Sequence, residues 1–450
     1  MSIIFYHVFL WLYRTGIGLI SPWNRKAKLW LEGRKGLLER IRVEMKAAAT
    51  GSGPGRSEKG GKTIWMHCSS LGEFEQGRPL LESLRLQDPG CRVVLSFFSP
   101  SGYEARKDYT GADHVFYLPL DSRRHARRFI DLVKPELVLW VKYDYWYYYL
   151  VELKKRNIPT LLVSGVFRKD QPFFRWYGRL HRYMLECFTH LFVQTEDSKR
   201  LLEDLGLTEN VSVSGDTRFD RVIGIAENAE SLPLIEVFCG EQAVIVAGST
   251  WEEDEEELDH YANTHPEIRM IIAPHEISEE RLREVELLFR YSIRYSQWAQ
   301  GAGAAGSDAS RGAGAPGGAG RGPGGREPNV LIIDNIGMLS RLYQYATITY
   351  VGGGFGDDGV HNVLEAAVYG KPVVFGPVIE KYIEAVELAD SGGGIVIDSA
   401  LEAESVFNRL LSNPEEYRQT GEASRSYVYA KKGATEKIAG YIQEKRLLTN

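Results

Sequence analysis

The chain has 450 residues, 44% hydrophobic and 25% charged, with 54 Lys and Arg against 60 Asp and Glu for a formal net charge of −6. That length suits two or three domains with ordinary globular cores, and the charge excludes a chain built as a whole to grip nucleic acid. The four cysteines, Cys68, Cys91, Cys187 and Cys239, form no CxxC pair, which argues against a zinc site or a disulfide scaffold and fits a reducing compartment.

Residues 3–20 read IIFYHVFLWLYRTGIGLI, with Arg14 the single Lys, Arg, Asp or Glu. They approach the roughly 20 residues a bilayer crossing needs. Residues 21–46 carry eight Lys or Arg against three Glu, and positive flanks favour the cytoplasmic side. No small-residue cleavage site follows, which disfavours a removed signal peptide. Residues 1–46 therefore read as a membrane anchor with a basic flank, spanning the bilayer or lying in its plane. The competing reading is a helix buried in the first domain. Residues 47–62, AAATGSGPGRSEKGGK, lack periodicity and read as a linker.

Short apolar runs follow at 63–68, 92–97, 136–141, 159–163 and 190–194, separated by amphipathic stretches such as 75–86 and 121–133. A second series stands at 243–247, 269–273, 330–333, 347–351 and 372–375. Strand and helix in alternation mean parallel sheets covered on both faces. The predicted fold class is α/β, with two doubly wound, Rossmann-like domains at 63–217 and 243–450 joined by a linker at 218–242, facing a central cleft. Ligands in such sheets bind at the carboxyl ends of strands. The Gly/Ala-rich segment 299–328 cannot offset its ordering entropy and reads as a disordered insert.

Several segments carry chemistry. In SSLGEFEQGRPLL (69–81) a small-residue turn sets Glu73 near a helix N-terminus, where the dipole keeps a carboxylate ionised and able to take a proton. A purely dipole-complementing role fits the same position, and Glu75 is the weaker candidate. Residues 167–182 mix Arg168, Lys169 and Arg175 with large aromatics, which suits an anionic lipid head group at a membrane surface or single-stranded nucleic acid, and the anchor favours the lipid. Arg123, Arg124, Arg127 and Arg128 suit either a lipid surface or solvent. Arg218 in SGDTRFD suits a phosphate or an interdomain salt bridge. In AGSTWEEDEEEL (247–258), Ser249 and Thr250 suit a helix cap, a ligand phosphate, or both, and the acidic run suits solvent. His275, in IIAPHEI, suits a base or phosphate contact or a structural role. The glycines of YVGGGFGDDGVHNVLEAA (350–367), Gly353 and Gly354 among them, bring backbone amides to a phosphate ahead of a helix starting near His361 and Asn362. Glu365, one turn in, suits ribose hydroxyls; a tight turn with a surface Glu is the alternative.

Taken together, SSLGEFEQGRPLL, SGDTRFD, AGSTWEEDEE, DNIGMLSRLYQYA followed by VGGGF, and GVHNVLEAA resemble the Kdo (3-deoxy-D-manno-octulosonic acid) transferases, which have the GT-B fold. The resemblance runs from the N-terminal anchor almost to the C-terminus. It implies that Glu73 is the general base and that Asn362 and Glu365 hold the CMP moiety. It also implies that Gly337 and Met338 lie by the donor phosphate and that APHE (273–276) lies on the cytidine side. One segment departs from the family: where it has E-T-E-L-W-P-N, this chain has Lys142, Tyr143, Asp144, Tyr145, Trp146, Tyr147 and Tyr148, which leaves any acidic role there to Asp144. The implied activity is inverting transfer of Kdo from CMP-Kdo to a lipid A precursor at the cytoplasmic face of the inner membrane. Its implied partners are the lipid, the CMP-sugar and the membrane surface, with no nucleic acid, no cofactor and no metal. A UDP-sugar-dependent lipid glycosyltransferase and a sugar-nucleotide epimerase are the alternatives; the anchor argues against the epimerase.

Overall fold

The computed structural model describes residues 3–49, 61–142, 144–305 and 327–448. Tyr143, residues 50–60 of the expected linker and residues 306–326 of the expected insert lie outside them. The chain forms two compact units, Met1–Arg221 with Lys432–Asn450, and Val222–Lys431.

The first unit holds strands β1 (Thr63–Cys68), β2 (Arg92–Phe97), β3 (His114–Tyr117), β4 (Leu137–Val141), β5 (Thr160–Gly165), β6 (His190–Val193) and β7 (Val211–Val213). Their order across the sheet is β3-β2-β1-β4-β5-β6-β7, and all pairs are parallel. The second unit holds β8 (Val244–Thr250), β9 (Arg269–Pro274), β10 (Ser292–Arg294), β11 (Val330–Ile332), β12 (Ile348–Val351), β13 (Val373–Phe375) and β14 (Gly394–Val396), ordered β10-β11-β9-β8-β12-β13-β14, again parallel. Each sheet is thus doubly wound: the strand order reverses between β1 and β4 in one and between β8 and β12 in the other. At such a reversal the crossover helices diverge and leave the strand ends open to a ligand.

The central strands are buried from end to end, as β1 and β4 show, which is why they read as unbroken apolar runs. The sequence reading missed β3, β7, β10 and β14. All four are sheet edges of three or four residues, too short for an apolar run to stand out.

Three boundaries differ from expectation. Residues 218–242 are mainly two helices, Thr217–Glu227 and Pro233–Cys239, rather than a linker. The start of the Gly/Ala segment completes the helix Tyr295–Ala305, because alanine and an upstream helical turn suffice to propagate it. The C-terminal helix Ala434–Glu444 joins the first unit: Ile438, Ala439 and Ile442 share a core with Leu80, Leu84 and Phe192. Asp220 fixes its start by accepting from the amides of Gly433 (2.7 Å) and Thr435 (2.6 Å).

Helix Ile3–Ile20 is, among the described residues, the one helix long and apolar enough to cross a membrane. It is not a buried helix. Tyr6 and Leu10 dock on the first unit, with the Tyr6 hydroxyl donating to Asp121 at 2.6 Å. Ile4, Phe5, Val8, Phe9, Trp11, Leu12, Leu19 and Ile20 stay exposed.

The C-terminal helix sets a test of the first unit. Ile438→Ala removes buried methyl groups and should cost about 2–5 kcal/mol. Hydrogen exchange should quicken in β1 and β6 and stay unchanged in β8. Equal protection of β1 and β6 in the variant would show that this helix does not hold the first core.

Candidate functional site

In the first unit the reversal point is built from the ends of β1 and β4. Ser70 caps helix Leu71–Gln87, its hydroxyl accepting from the Glu73 amide at 3.5 Å. Glu73 is third in that helix and 8% exposed, and its Oε2 accepts from the Ser69 amide. Hydrogen bonds to the ionised form favour it. The Ser69 hydroxyl donates to Asp144 Oδ2, tying the two acids into one group across the β1–β4 gap. Burial raises the Asp144 pKa, and the Ser69 bond opposes that rise. Before it, Lys142 takes φ +52°, a left-handed conformation that costs a non-glycine residue about 1–2 kcal/mol. The alternative reading of Glu73 as a carboxylate that complements the helix dipole fits the same geometry, with Ser70 as the cap. Asp144 is the acid that the departing segment supplies.

Glu75 does not belong to this group. It pairs with Arg106 at 2.8 Å and with Arg221 at 3.5 Å. Arg218 lies in the first unit and its guanidinium meets Asp216, two residues before it, at 2.8 Å. Thr217 donates to the Gln76 carbonyl, so this turn is pinned to the helix carrying Glu73. Arg168, Lys169 and Arg175 are exposed on the segment after β5, beside Trp176 at 92% exposure.

In the second unit the reversal point lies between β8 and β12, and Asp254 organises it. This carboxylate, fully buried, accepts from the Gly353 amide (2.7 Å), the Trp251 amide (2.9 Å) and the Tyr350 hydroxyl (2.7 Å). Glu255, equally buried, accepts from the Thr250 hydroxyl at 2.8 Å and pairs with Arg281. Two acids of the expected solvent-facing run are therefore internal. Three assignments change with them. The Gly353 amide is taken by Asp254 and does not face a phosphate. The Thr250 hydroxyl spends its proton on Glu255 and cannot donate it to a ligand. Helix Glu252–Thr264 is capped at Trp251, not by Ser249 or Thr250. Ser249 sits at φ +55°.

The glycines act by permitting contact. Gly353 takes φ +90°, and a Cβ on Gly354 would lie 2.6 Å from the Gly376 nitrogen, so backbone passes where side chains cannot. The helix after the glycines begins at Leu364, later than expected. Asn362 stands one residue before its N-cap, Val363, accepting from the Leu364 amide at 3.3 Å while donating to Glu365 at 2.9 Å. Gly337 lies in an exposed turn at φ +96° and Met338 is buried beneath it. Tyr369 donates to the Ser340 carbonyl at 2.7 Å, joining that turn to the Glu365 segment.

His275 is exposed and stacks on both Trp251 and His361, with ring centroids 4.5 Å away in each case. The Trp251 Nε1–H donates to His361 Nε2 at 2.8 Å. Indole is a donor only, so that nitrogen carries no proton and neutral His361 holds its proton on Nδ1. Burial, then the neighbouring His275, lowers its pKa to about 4. The sequence signals for Trp251 and His361, an aromatic after GST and a histidine before Asn362, stood in view without a partner to give them meaning.

This stack carries a pH prediction. Between the ordinary histidine value of about 6.5 and about 4, the unfolded chain binds a proton that folded His361 does not. Stability of the second unit should therefore fall as pH drops through that window. Trp251→Phe removes the bond that favours the neutral ring and should raise the His361 pKa, read from its Cε1–H resonance. An identical titration in wild type and variant would refute the assigned tautomer.

Comparison with known proteins agrees with this architecture. Residues 37–221 match the family model described as 3-deoxy-D-manno-octulosonic-acid transferase (kdotransferase). A 3-deoxy-D-manno-octulosonic acid transferase of Chlamydia trachomatis serovar A is 27% identical over 381 residues, covering 82% of each chain. A bifunctional glycosyltransferase/methyltransferase of Fusobacterium nucleatum is 26% identical over 402 residues, 86% of this chain, and the chain spans 55% of its length. The UDP-GlcNAc 2-epimerase of Neisseria meningitidis shares the fold, with a TM-score of 0.58 at 16% identity over 85% of this chain and 100% of that one. The matched domain and relatives of the same kind over most of both chains make the chain similar to the Kdo transferases and support a glycosyltransferase.

Proposed function

We propose that the chain moves Kdo from CMP-Kdo to a lipid A precursor, with inversion, at the cytoplasmic face of the inner membrane. The acceptor belongs to the first unit and the donor to the second. Glu73 takes the proton of an acceptor hydroxyl as its oxygen bonds to the anomeric carbon. The bond from that carbon to the CMP phosphate oxygen breaks, and CMP leaves with the electron pair. Glu73 then releases the proton to solvent. Asp144, through Ser69, keeps Glu73 and its amide partner in place. Arg168, Lys169 and Arg175 hold anionic groups of the lipid.

On the donor side Asn362 and Glu365 take the ribose, and the His275–Trp251 face takes the pyrimidine by stacking. The Nδ1–H of His361 and the exposed Gly337 turn serve the phosphate. Preorganised donors of this kind stabilise the charge that develops on a leaving group. No metal enters the reading. The observation that carries it is the Glu73–Ser69–Asp144 group at the reversal point of the first sheet, inside the matched domain. The family match supports the choice of sugar. The apolar helix Ile3–Ile20 supports a lipid acceptor over a free sugar.

The test is incubation of the purified chain with CMP-Kdo and a tetra-acylated lipid A precursor, read by product mass. Glu73→Gln should lower turnover by about 10²–10⁴-fold, the usual worth of a general base, while CMP still raises the melting temperature as in wild type. Near-normal turnover in that variant would remove the base from Glu73. A thermal shift with UDP larger than with CMP would move the donor to another nucleotide class.

A further inference from the structure

The first unit contains a cavity of about 750 Å³ that plays no part in the reading above. It lies at the C-terminal end of helix Ile3–Ile20, among the helices Arg25–Arg34 and Leu37–Ala49, and neither Glu73 nor Asp144 lines it. Its size is that of a ligand site, about 300–1,000 Å³. Trp30, Leu31 and Leu38 make an apolar wall. Arg14, Lys28 and Lys35 line it as well, and among the described residues none of these three pairs with a carboxylate. The two acids on the lining, Glu32 and Glu39, are exposed to solvent.

Arg34 gives the cavity its electrostatic character. It lines the cavity, and its guanidinium lies 4.0 Å from the Trp30 ring, 4.9 Å from Phe98 and 5.0 Å from Tyr117. It donates to the carbonyls of Leu118 (3.0 Å), Trp30 (3.1 Å) and Phe98 (2.8 Å). Among the described residues it has no carboxylate partner. Burial pushes its pKa down to about 9. A sheltered cation without a counter-ion is costly, and proteins ordinarily pair one. Trp30 is buried, and its indole N–H has no hydrogen-bond partner. Arg34 thus has no carboxylate counter-ion within the site, which also presents an apolar wall. Next to it runs the exposed apolar face of helix Ile3–Ile20, ending in Leu19 and Ile20, with the exposed Trp23 in the turn that follows.

We propose that this cavity binds the phosphate head group and upper acyl chain of one anionic glycerophospholipid of the surrounding bilayer, separate from the lipid that accepts the sugar. Arg34, Arg14, Lys28 and Lys35 meet the phosphate. Trp30, Leu31 and Leu38 cover the chain, whose remainder continues along the apolar helix face. The bound lipid supplies the negative charge that the fold itself omits around Arg34.

Native mass spectrometry of the full chain in dodecyl maltoside, with palmitoyl-oleoyl phosphatidylglycerol and phosphatidylcholine as probes, tests this. One phosphatidylglycerol per chain should be retained, with phosphatidylcholine bound much more weakly. Lys28→Gln and Lys35→Gln should each weaken retention about fivefold, the usual worth of one cation at a lipid surface. Leu38→Trp, which fills the apolar side, should abolish it. CMP-induced thermal shifts and transfer in detergent solution should stay as in wild type for the lysine variants, so this result stands apart from the transferase assignment. Equal retention of both lipids, or unchanged retention in the lysine variants, overturns the proposal. One-for-one displacement by the tetra-acylated acceptor also overturns it, since the cavity would then be the acceptor's.

Discussion

The two sites rest on one physical constraint: a parallel strand that ends at a reversal point leaves backbone amides with no ladder partner, and a buried amide must find an acceptor. Each unit meets this with an acid at the third position of the helix following its first strand. Glu73 reaches back to the Ser69 amide, and Asp254 reaches back to the Trp251 amide. The helix dipole favours the negative charge in both places. The two acids differ in what else they touch. Asp254 is enclosed by Tyr350 and Gly353 and serves as a staple for the glycine loop. Glu73 is linked through Ser69 to a second acid, Asp144, which the next strand across the reversal point presents.

From the Asp254 staple follows the shape of the donor side. Holding the Gly353 amide draws the glycine segment onto the end of β8, so close that a Cβ on Gly352 would meet the Ser249 carbonyl at 2.5 Å. With that loop drawn in, the His361 amide bonds to the Gly352 carbonyl at 3.0 Å, and its ring reaches Trp251 and His275. Asn362 and Glu365 then come into register beside it. Glu255 and Arg281 make a second buried tie that holds the end of β8 through Thr250. A short acidic segment thus orders residues more than a hundred positions away, and none of its work requires contact with a ligand.

The first unit solves a different problem at its N-terminus. Three helices precede the sheet. The first shows solvent more apolar surface than a monomeric soluble surface usually carries. Its docking relies on a few contacts, Tyr6 to Asp121 and the ring stack of His7 on Tyr148 among them. Such a face, followed in sequence by basic residues, suits the membrane association proposed for this chain.

The architecture was legible in the residues because its causes are local. Buried central strands must be continuous apolar runs, so β1, β4, β8 and β9 announced themselves. A strand followed by a small-residue turn and an acid marked the Glu73 site, and Gly353, Gly354, Asn362 and Glu365 stood in one recognisable order. Partnership was not legible, because it depends on what the fold brings near. Nothing in WEEDEEEL separates the buried Asp254 and Glu255 from their exposed neighbours, nor could the spacing tell that Thr250 and the Gly353 amide were already taken. The return of Ala434–Glu444 to the first core and the uncompensated charge of Arg34 were likewise decided by tertiary structure alone. Hydrogen bonds and ion pairs form between groups that meet in space, whereas periodicity records only which face of a segment is turned from water.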